Sequence, residues 1–244
     1  MSKHILCFLT VAPSPLFYDF VKRLKKENTD VYICIDDNDY TILGYNTGDG
    51  IKIIQMDSTF CRDSGFKSSS QDNKSIALDK ALYYFCKNEI DYQDIWLIEE
   101  DVFIPTVDTI DKMNEKYPFC DLLVKNHFIA EKRQTDWLWP NINKQVKTDP
   151  PYAASMVCAV RVSKQLMRCI DQYVSHYHDL FYCEALFNTI ALQNNLLVVM
   201  CEELSTIAWK KSWEREDIHP NNLYHPVKNV IQQYELRNEY GLFS

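Results

Sequence analysis

The chain has 244 residues, 46% of them hydrophobic and 25% charged, with a formal net charge of −8. That apolar content is enough to bury a core and excludes disorder as the dominant state, while the net negative field argues against a nucleic-acid partner. The five glycines (Gly44, Gly48, Gly50, Gly65 and Gly241) fit neither a G-x-G-x-x-G turn nor a P-loop, so neither glycine-rich phosphate cradle is expected.

The first half alternates strand and helix. His4 to Thr10 is a short apolar run, and Ser14-Pro15 then offers an N-cap followed by proline at the first helical position. Leu16, Phe17, Phe20, Val21 and Leu24 recur at helical spacing, with Lys22, Arg23, Lys25 and Lys26 forming the solvated face. Val31 to Asp36 and Ile51 to Met56 read as further buried strands, ending at Asp36-Asp37 and at Asp57. Residues 58–74 are polar and read as a mobile loop, and Leu78, Leu82, Phe85 and Cys86 mark the next amphipathic helix. Asp94 to Ile98 is a strand that runs straight into Glu99-Glu100-Asp101. Thr106 to about Tyr117 is helical, and Asp121 to Lys125 is a strand.

The second half is less regular. Residues 126–152 read as a long polar connection, followed by a strand from Met156 to Val162 and a helix capped by Ser163 and lined by Leu166, Ile170, Tyr173 and Tyr177. A helix from Cys183 to Gln193 and a strand from Leu196 to Met200 come next, and the tail from Trp209 onward reads as loop. The pattern predicts a single α/β domain spanning 1–244, a mixed central sheet flanked by helices, with 1–101 facing a nucleotide and 102–244 facing an acceptor. The nine cysteines show no C-x-x-C spacing and read as reduced core thiols. No apolar stretch approaches membrane-spanning length and no charged-then-apolar leader opens the chain, so a soluble, cytoplasmic protein is expected, with Asn73-Lys74-Ser75 a chance sequon.

An apolar strand that ends in three consecutive carboxylates is costly unless they reach solvent or a cation. In extended geometry Glu99 and Asp101 share a face and Glu100 takes the other, so two carboxylates converge in a way that suits Mn²⁺ or Mg²⁺. In open α/β sheets, ligands sit at such carboxyl ends. At Ile95-Trp96-Leu97-Ile98-Glu99-Glu100-Asp101 the chain resembles the GT-A glycosyltransferases, whose Rossmann-related fold carries an acidic D-x-D motif after a central strand. This chain has Glu where the motif begins with Asp. Its size and its Asn-, Lys- and Tyr-rich composition resemble such domains from large algal DNA viruses.

The resemblance implies a metal-dependent enzyme that moves a sugar from a nucleoside-diphosphate sugar, UDP being the commonest carrier, to a glycan or glycoprotein, with inversion. It implies Asp101 as metal ligand and Glu99, with Glu100 beside it, near the ribose or metal. Thr10, Val11 and Ala12, with Asp36 and Asp37, would meet the base and ribose, and Lys80 the diphosphate. It further implies a histidine near the C-terminus in the metal site, His225 with His219 as competitor, and a phosphate contact from Lys228. A general base is expected at the start of an acceptor-side helix, at Glu184 or else Asp179, where a helix N-terminus favours the ionised form. Trp137, Trp139 and Tyr152 offer flat faces for acceptor sugars. Two other readings stand beside this one. A sugar-phosphate nucleotidyltransferase would want a glycine-rich or basic loop that Thr10 to Pro15 lacks, and a non-catalytic carbohydrate-binding or scaffold domain would keep the fold without turnover.

Overall fold

A computed structural model describes residues 3–37, 49–68, 76–131 and 146–239. Seven strands form one sheet in the order β3-β2-β1-β4-β8-β5-β9, namely Ile51–Gln55, Thr29–Ile35, His4–Thr10, Asp94–Glu99, Ala159–Ser163, Leu122–Val124 and Val198–Met200. β3, β2, β1 and β4 are mutually parallel, β8 runs antiparallel to both β4 and β5, and β5 and β9 are parallel. The result is a mixed α/β architecture. A separate antiparallel pair joins β6 (Phe128–Ala130), inside what reads in sequence as a plain connection, to β7 (Tyr152–Ala154), which starts at its last residue.

The strands read as continuous apolar runs because both faces are covered. One set of alternate residues, including Ile5, Cys7, Cys34, Ile95, Leu97 and Val160, packs on α3 (Ala77–Lys87), α5 (Lys164–Tyr177) and α6 (Cys183–Gln193). The other set, including Leu6, Phe8, Ile33, Trp96 and Ile98, packs on α1 (Pro15–Arg23) and α4 (Thr109–Lys116). Ser14 caps α1 as expected, accepting from the Phe17 N–H at 3.2 Å. Leu16, expected on its apolar face, is exposed instead.

Two helices also depart from the sequence reading. Residues 58–63 form a short helix, α2 (Ser58–Asp63), because the Asp57 carboxylate accepts from the Thr59 N–H at 2.7 Å and Cys61 is buried beneath it. The tail ends in α7 (Val230–Glu239), whose buried residues are Gln233, Leu236 and Arg237. Two of those three are polar, so no apolar stripe betrays the helix. Arg237 stacks over the Phe20 ring at 3.4 Å and donates to the Ile104 carbonyl at 3.0 Å, which fastens α7 to the rest of the fold.

The register levels the carboxyl ends of the central strands. Leu9 pairs with Cys34 on one side and with Glu99 on the other. β1, β2 and β3 progress toward one edge, while β4 returns to the other side of β1, so the strand order reverses between β1 and β4. Such a switch point leaves a crevice at the carboxyl edge. Because β8 is reversed, it is its beginning, at Cys158 and Ala159, that meets the same edge.

Candidate functional site

β4 ends at Glu99, and the chain turns at once: the Val102 N–H donates to the Glu99 carbonyl at 3.0 Å. The Glu99 N–H donates to the Cys158 carbonyl at 2.8 Å, and the Glu100 N–H to the Leu9 carbonyl at 2.9 Å, so the acidic triplet is stitched to the strands on both sides. The Glu100 carboxylate accepts the Thr10 hydroxyl, on the β1 side. Glu99 and Asp101 face a common partner across the turn. The sharing of a face expected from extended geometry is thus met by a turn, since Glu100 and Asp101 lie beyond the strand.

That partner is His225. Its Nε2 lies 3.7 Å from Glu99 Oε2 and 3.4 Å from Asp101 Oδ1. Its Nδ1 is 2.8 Å from the Ala208 carbonyl, which can only accept, so the proton sits on Nδ1 in the neutral ring and the Nε2 lone pair points at the carboxylates. A ring so fixed by an outer carbonyl is how metal-ligating histidines are commonly held. The segment is anchored by the Val227 N–H on the Asp101 carbonyl at 2.8 Å and by reciprocal main-chain bonds between Phe103 and Tyr224. Trp213 adds an indole N–H to the His225 carbonyl at 3.1 Å, and Phe103, Trp213, Tyr224 and Val227 form a small apolar cluster beneath. His219 is exposed, and its Nδ1 accepts from the Asn221 N–H in its own turn.

The electrostatics follow from crowding. Burial and the adjacent Asp101 charge push Glu99 above its ordinary value, and burial does the same to Glu100 against the pull of the Thr10 hydroxyl. Burial pulls His225 down, but the Asp101 carboxylate, the Ala208 carbonyl and Glu99 outweigh it and hold the imidazole above its ordinary value. Like charges brought together this way favour a bound cation, whether a proton on His225 or a metal ion.

Cys158 is the neighbour that sequence reading missed. The Glu99 carboxylate, the His225 imidazole and the Cys158 sulfur each offer a donor atom within 4.8 Å of the others. Burial, followed by the Glu99 charge, raises the Cys158 thiol far above its ordinary value. Nothing local marks Cys158; only the antiparallel register of β8 on β4 brings it there. Glu184 lies in the first turn of α6 and is near enough to add to the raised values of both Glu99 and Cys158. Its carboxylate accepts the Cys183 thiol at 2.9 Å, and its carbonyl accepts the Ser155 N–H at 2.8 Å. Asp179 pairs instead with Lys147 at 3.3 Å.

At the β1 and β2 ends, Thr10 is buried while Val11 and Ala12 are exposed, and the Thr10 and Val11 carbonyls accept from the N–H groups of Asp36 and Asp37 at 2.8 and 3.2 Å. Lys80 is fully buried, and its ammonium donates to the Asp36 carbonyl at 2.5 Å and reaches the Ile35 carbonyl at 3.4 Å. It holds the end of β2 from below, so a direct diphosphate contact gives way to a positioning one. Tyr152 is also corrected: it is wholly buried in β7, with its hydroxyl on the Thr148 carbonyl at 2.9 Å, and presents no face to an acceptor. Trp137 and Trp139 lie outside the described residues. Lys228 is exposed and lines a cavity of 440 Å³ together with Lys210, Lys211, Ser212 and Trp213, starting one residue beyond His225. Lys210 and Lys211 are cations that the sequence reading did not single out.

Solved structures of low identity are similar to the chain over nearly its whole length. Mouse xyloside xylosyltransferase 1, in its apo form, is 13% identical, with 94% of this chain and 99% of that chain covered and a TM-score of 0.46. The galactosyltransferase LgtC, in complex with donor and acceptor sugar analogs, is 11% identical over 99% of this chain and 96% of that one, with a TM-score of 0.45. The 2-C-methyl-D-erythritol 4-phosphate cytidylyltransferase from Thermus thermophilus is 6% identical over 99% and 100%, with a TM-score of 0.47. The first two are named as glycosyltransferases and the third as a cytidylyltransferase. No family model matches the chain, and no curated protein matches it in sequence.

Proposed function

We propose that the chain is a metal-dependent glycosyltransferase that takes a nucleoside-diphosphate sugar, UDP-linked by preference, at the switch point between β1 and β4. The observation that carries this reading is the His225 Nε2 set 3.4 Å from Asp101 and 3.7 Å from Glu99, with Nδ1 committed to a main-chain carbonyl. Two carboxylates and a neutral imidazole are an acceptable donor set for Mn²⁺ or Mg²⁺. Asp101, Glu99 and His225 would hold the ion, which when bound supplies counter-charge for a departing diphosphate.

The rest of the site supports the same division of labour. The exposed Val11 and Ala12, with Asp36 and Asp37 beside them, offer an apolar rim and acceptors for a base and ribose. Lys210, Lys211 and Lys228 line, with Glu214, a cavity that begins at Pro226, one residue beyond His225, and the three cations suit phosphate oxygens. Glu184, at a helix N-terminus beside the acidic cluster, is the group we assign to accept the proton of an acceptor hydroxyl, that of a glycan or glycoprotein. No helix among the described residues is long and apolar enough to cross a membrane. The free state of the cysteines supports a reducing, cytoplasmic setting.

The test is a thermal-shift panel of UDP-, GDP- and dTDP-sugars and CTP, each with and without Mn²⁺, followed by an assay for released nucleoside diphosphate. A metal-dependent rise with one nucleotide-sugar, and release of its diphosphate, is the expected result. A rise with CTP alone would transfer the site to nucleotidyl transfer, and no metal-dependent rise with any ligand would sink both enzymatic readings.

A further inference from the structure

Two donor sets overlap at this site. Asp101, Glu99 and His225 form one, made of oxygen and nitrogen, while Glu99, His225 and Cys158 form another that adds sulfur. They share Glu99 and His225, so one ion excludes another from the second set. We propose that Cys158 is a direct metal ligand, and that the Glu99–Cys158–His225 set binds a thiophilic divalent ion such as Zn²⁺ in competition with the hard ion of the first set. The inference rests on the reading above that this cluster holds a divalent cation.

The geometry is close to what such an ion needs. With metal–nitrogen and metal–oxygen lengths of about 2.0–2.2 Å and a metal–sulfur length of about 2.3 Å, the edges of a tetrahedral site are roughly 3.4–3.6 Å. His225 Nε2 and Glu99 Oε2 are already 3.7 Å apart, and the Cys158 sulfur lies within 4.8 Å of a donor atom of each of these two residues. Closing the set takes a side-chain adjustment and no movement of strands, because the Glu99 N–H is bonded to the Cys158 carbonyl across the β4–β8 pair. His225 arrives with its outer nitrogen already on Ala208.

Chemistry separates the two sets. Mg²⁺ and Mn²⁺ gain little from a thiolate, whereas Zn²⁺ and Co²⁺ gain strongly. On binding, the thiol proton leaves to solvent and a sulfur lone pair forms the metal–sulfur bond, so one thiol proton is released per ion bound through Cys158. The consequence is an enzyme whose supporting ion can be displaced by zinc at its own site. Cys183, the nearby thiol that donates to Glu184, is not part of the set and serves as the control.

The experiment titrates the full chain with Co²⁺ and follows the sulfur-to-cobalt charge-transfer absorption in the near ultraviolet, alongside Mn²⁺ binding by electron paramagnetic resonance. Wild type and Cys183→Ala are expected to show the band, and Cys158→Ala to lack it. Zn²⁺ affinity in Cys158→Ala should fall on the order of tenfold or more, the scale on which metal sites respond even to loss of an outer-shell partner, while Mn²⁺ affinity stays unchanged. Cys158→Ser, close in size, provides a second variant should the alanine form fold poorly. Co²⁺ binding without the band, or a band that survives both Cys158 substitutions, overturns the inference and leaves the transferase reading standing. If neither Mn²⁺ nor Co²⁺ binds, both fall together.

Discussion

The Val227 N–H donates to the Asp101 carbonyl at 2.8 Å, and that bond sets the turn after β4 against the segment that carries His225. The acidic turn and the segment that carries the histidine are therefore joined through main chain. On the proposed reading, substituting a carboxylate should abolish cation binding and leave the framework in place.

Asp101→Ala tests this directly. Mn²⁺ affinity, read by electron paramagnetic resonance, should fall at least on the order of 10–100-fold, the range seen when metal sites lose even a supporting partner. Stability in the absence of metal should change by only about 0.5 kcal/mol, because the side chain is partly exposed and its removal relieves repulsion from Glu99. A variant that unfolds, or that binds Mn²⁺ as wild type does, contradicts the assignment.

The imidazole gives the site a pH signature. His225 is held above its ordinary value in the fold by Asp101, Ala208 and Glu99. A base so raised contributes stability that is fully present below its unfolded value, about 6.5, and is lost as pH rises through the folded value. Without metal, the melting temperature of wild type relative to His225→Gln should be greatest below about pH 6.5 and decline above it. Mn²⁺ affinity should move the other way and rise over the same interval, because the protonated ring has no lone pair to give. A pH-independent difference between the two proteins would remove His225 from the cluster's electrostatics.

Glu184 and Asp179 separate cleanly. Glu184→Gln should lower kcat by about 10²–10⁴-fold, the usual contribution of a general base, with Mn²⁺ binding retained. Asp179→Asn should leave turnover near wild type, since its carboxylate is paired with Lys147. Equal losses in both variants, measured as nucleoside diphosphate release, would point to a structural effect of α6 and away from a base at its start.

Asp79 makes a prediction about stability alone. It is fully buried at the start of α3, and its carboxylate accepts the Ser68 hydroxyl at 2.5 Å and the N–H groups of Ser68 and Ile76 at 3.3 and 3.2 Å. Burial, opposed by these bonds, raises it from 3.8 to about 6. An acid raised by folding binds its proton more tightly in the native state, so stability falls as pH rises from 3.8 to about 6 and is level above. Asp79→Asn should flatten that slope and, having one acceptor oxygen in place of two, cost about 1 kcal/mol at low pH by urea unfolding. An unaltered slope would show that Asp79 is not its source.

How far the sequence could be read depended on whether the signal was local. The buried runs of β1, β2 and β4 and the Ser14 and Ser163 caps declare themselves through period and punctuation, and the structure has them in place. His225 was reachable only through the family resemblance, which implies a histidine near the C-terminus. Cys158 was not, because its place depends on which strand pairs with β4 and in which direction, a non-local choice that no window of residues encodes. Lys80 and Tyr152 misled for a related reason. Lysine favours surfaces and tyrosine is found both inside and out, and each is buried here with its polar atom on a main-chain carbonyl. α7 escaped because Gln233 and Arg237 take inward positions usually held by apolar groups.

The pieces of the site also differ in when they come into existence. On a growing chain the acidic turn after β4 emerges first, the start of β8 follows, and His225 appears only after the last strand of the sheet has been made. Until then Glu99 and Asp101 have no imidazole to answer them. On the proposed reading, ion binding waits for the segment that carries His225, and a chain cut before residue 225 has the two carboxylates without the imidazole. Metal affinity, on that reading, doubles as a marker that the His225 segment has been made and docked.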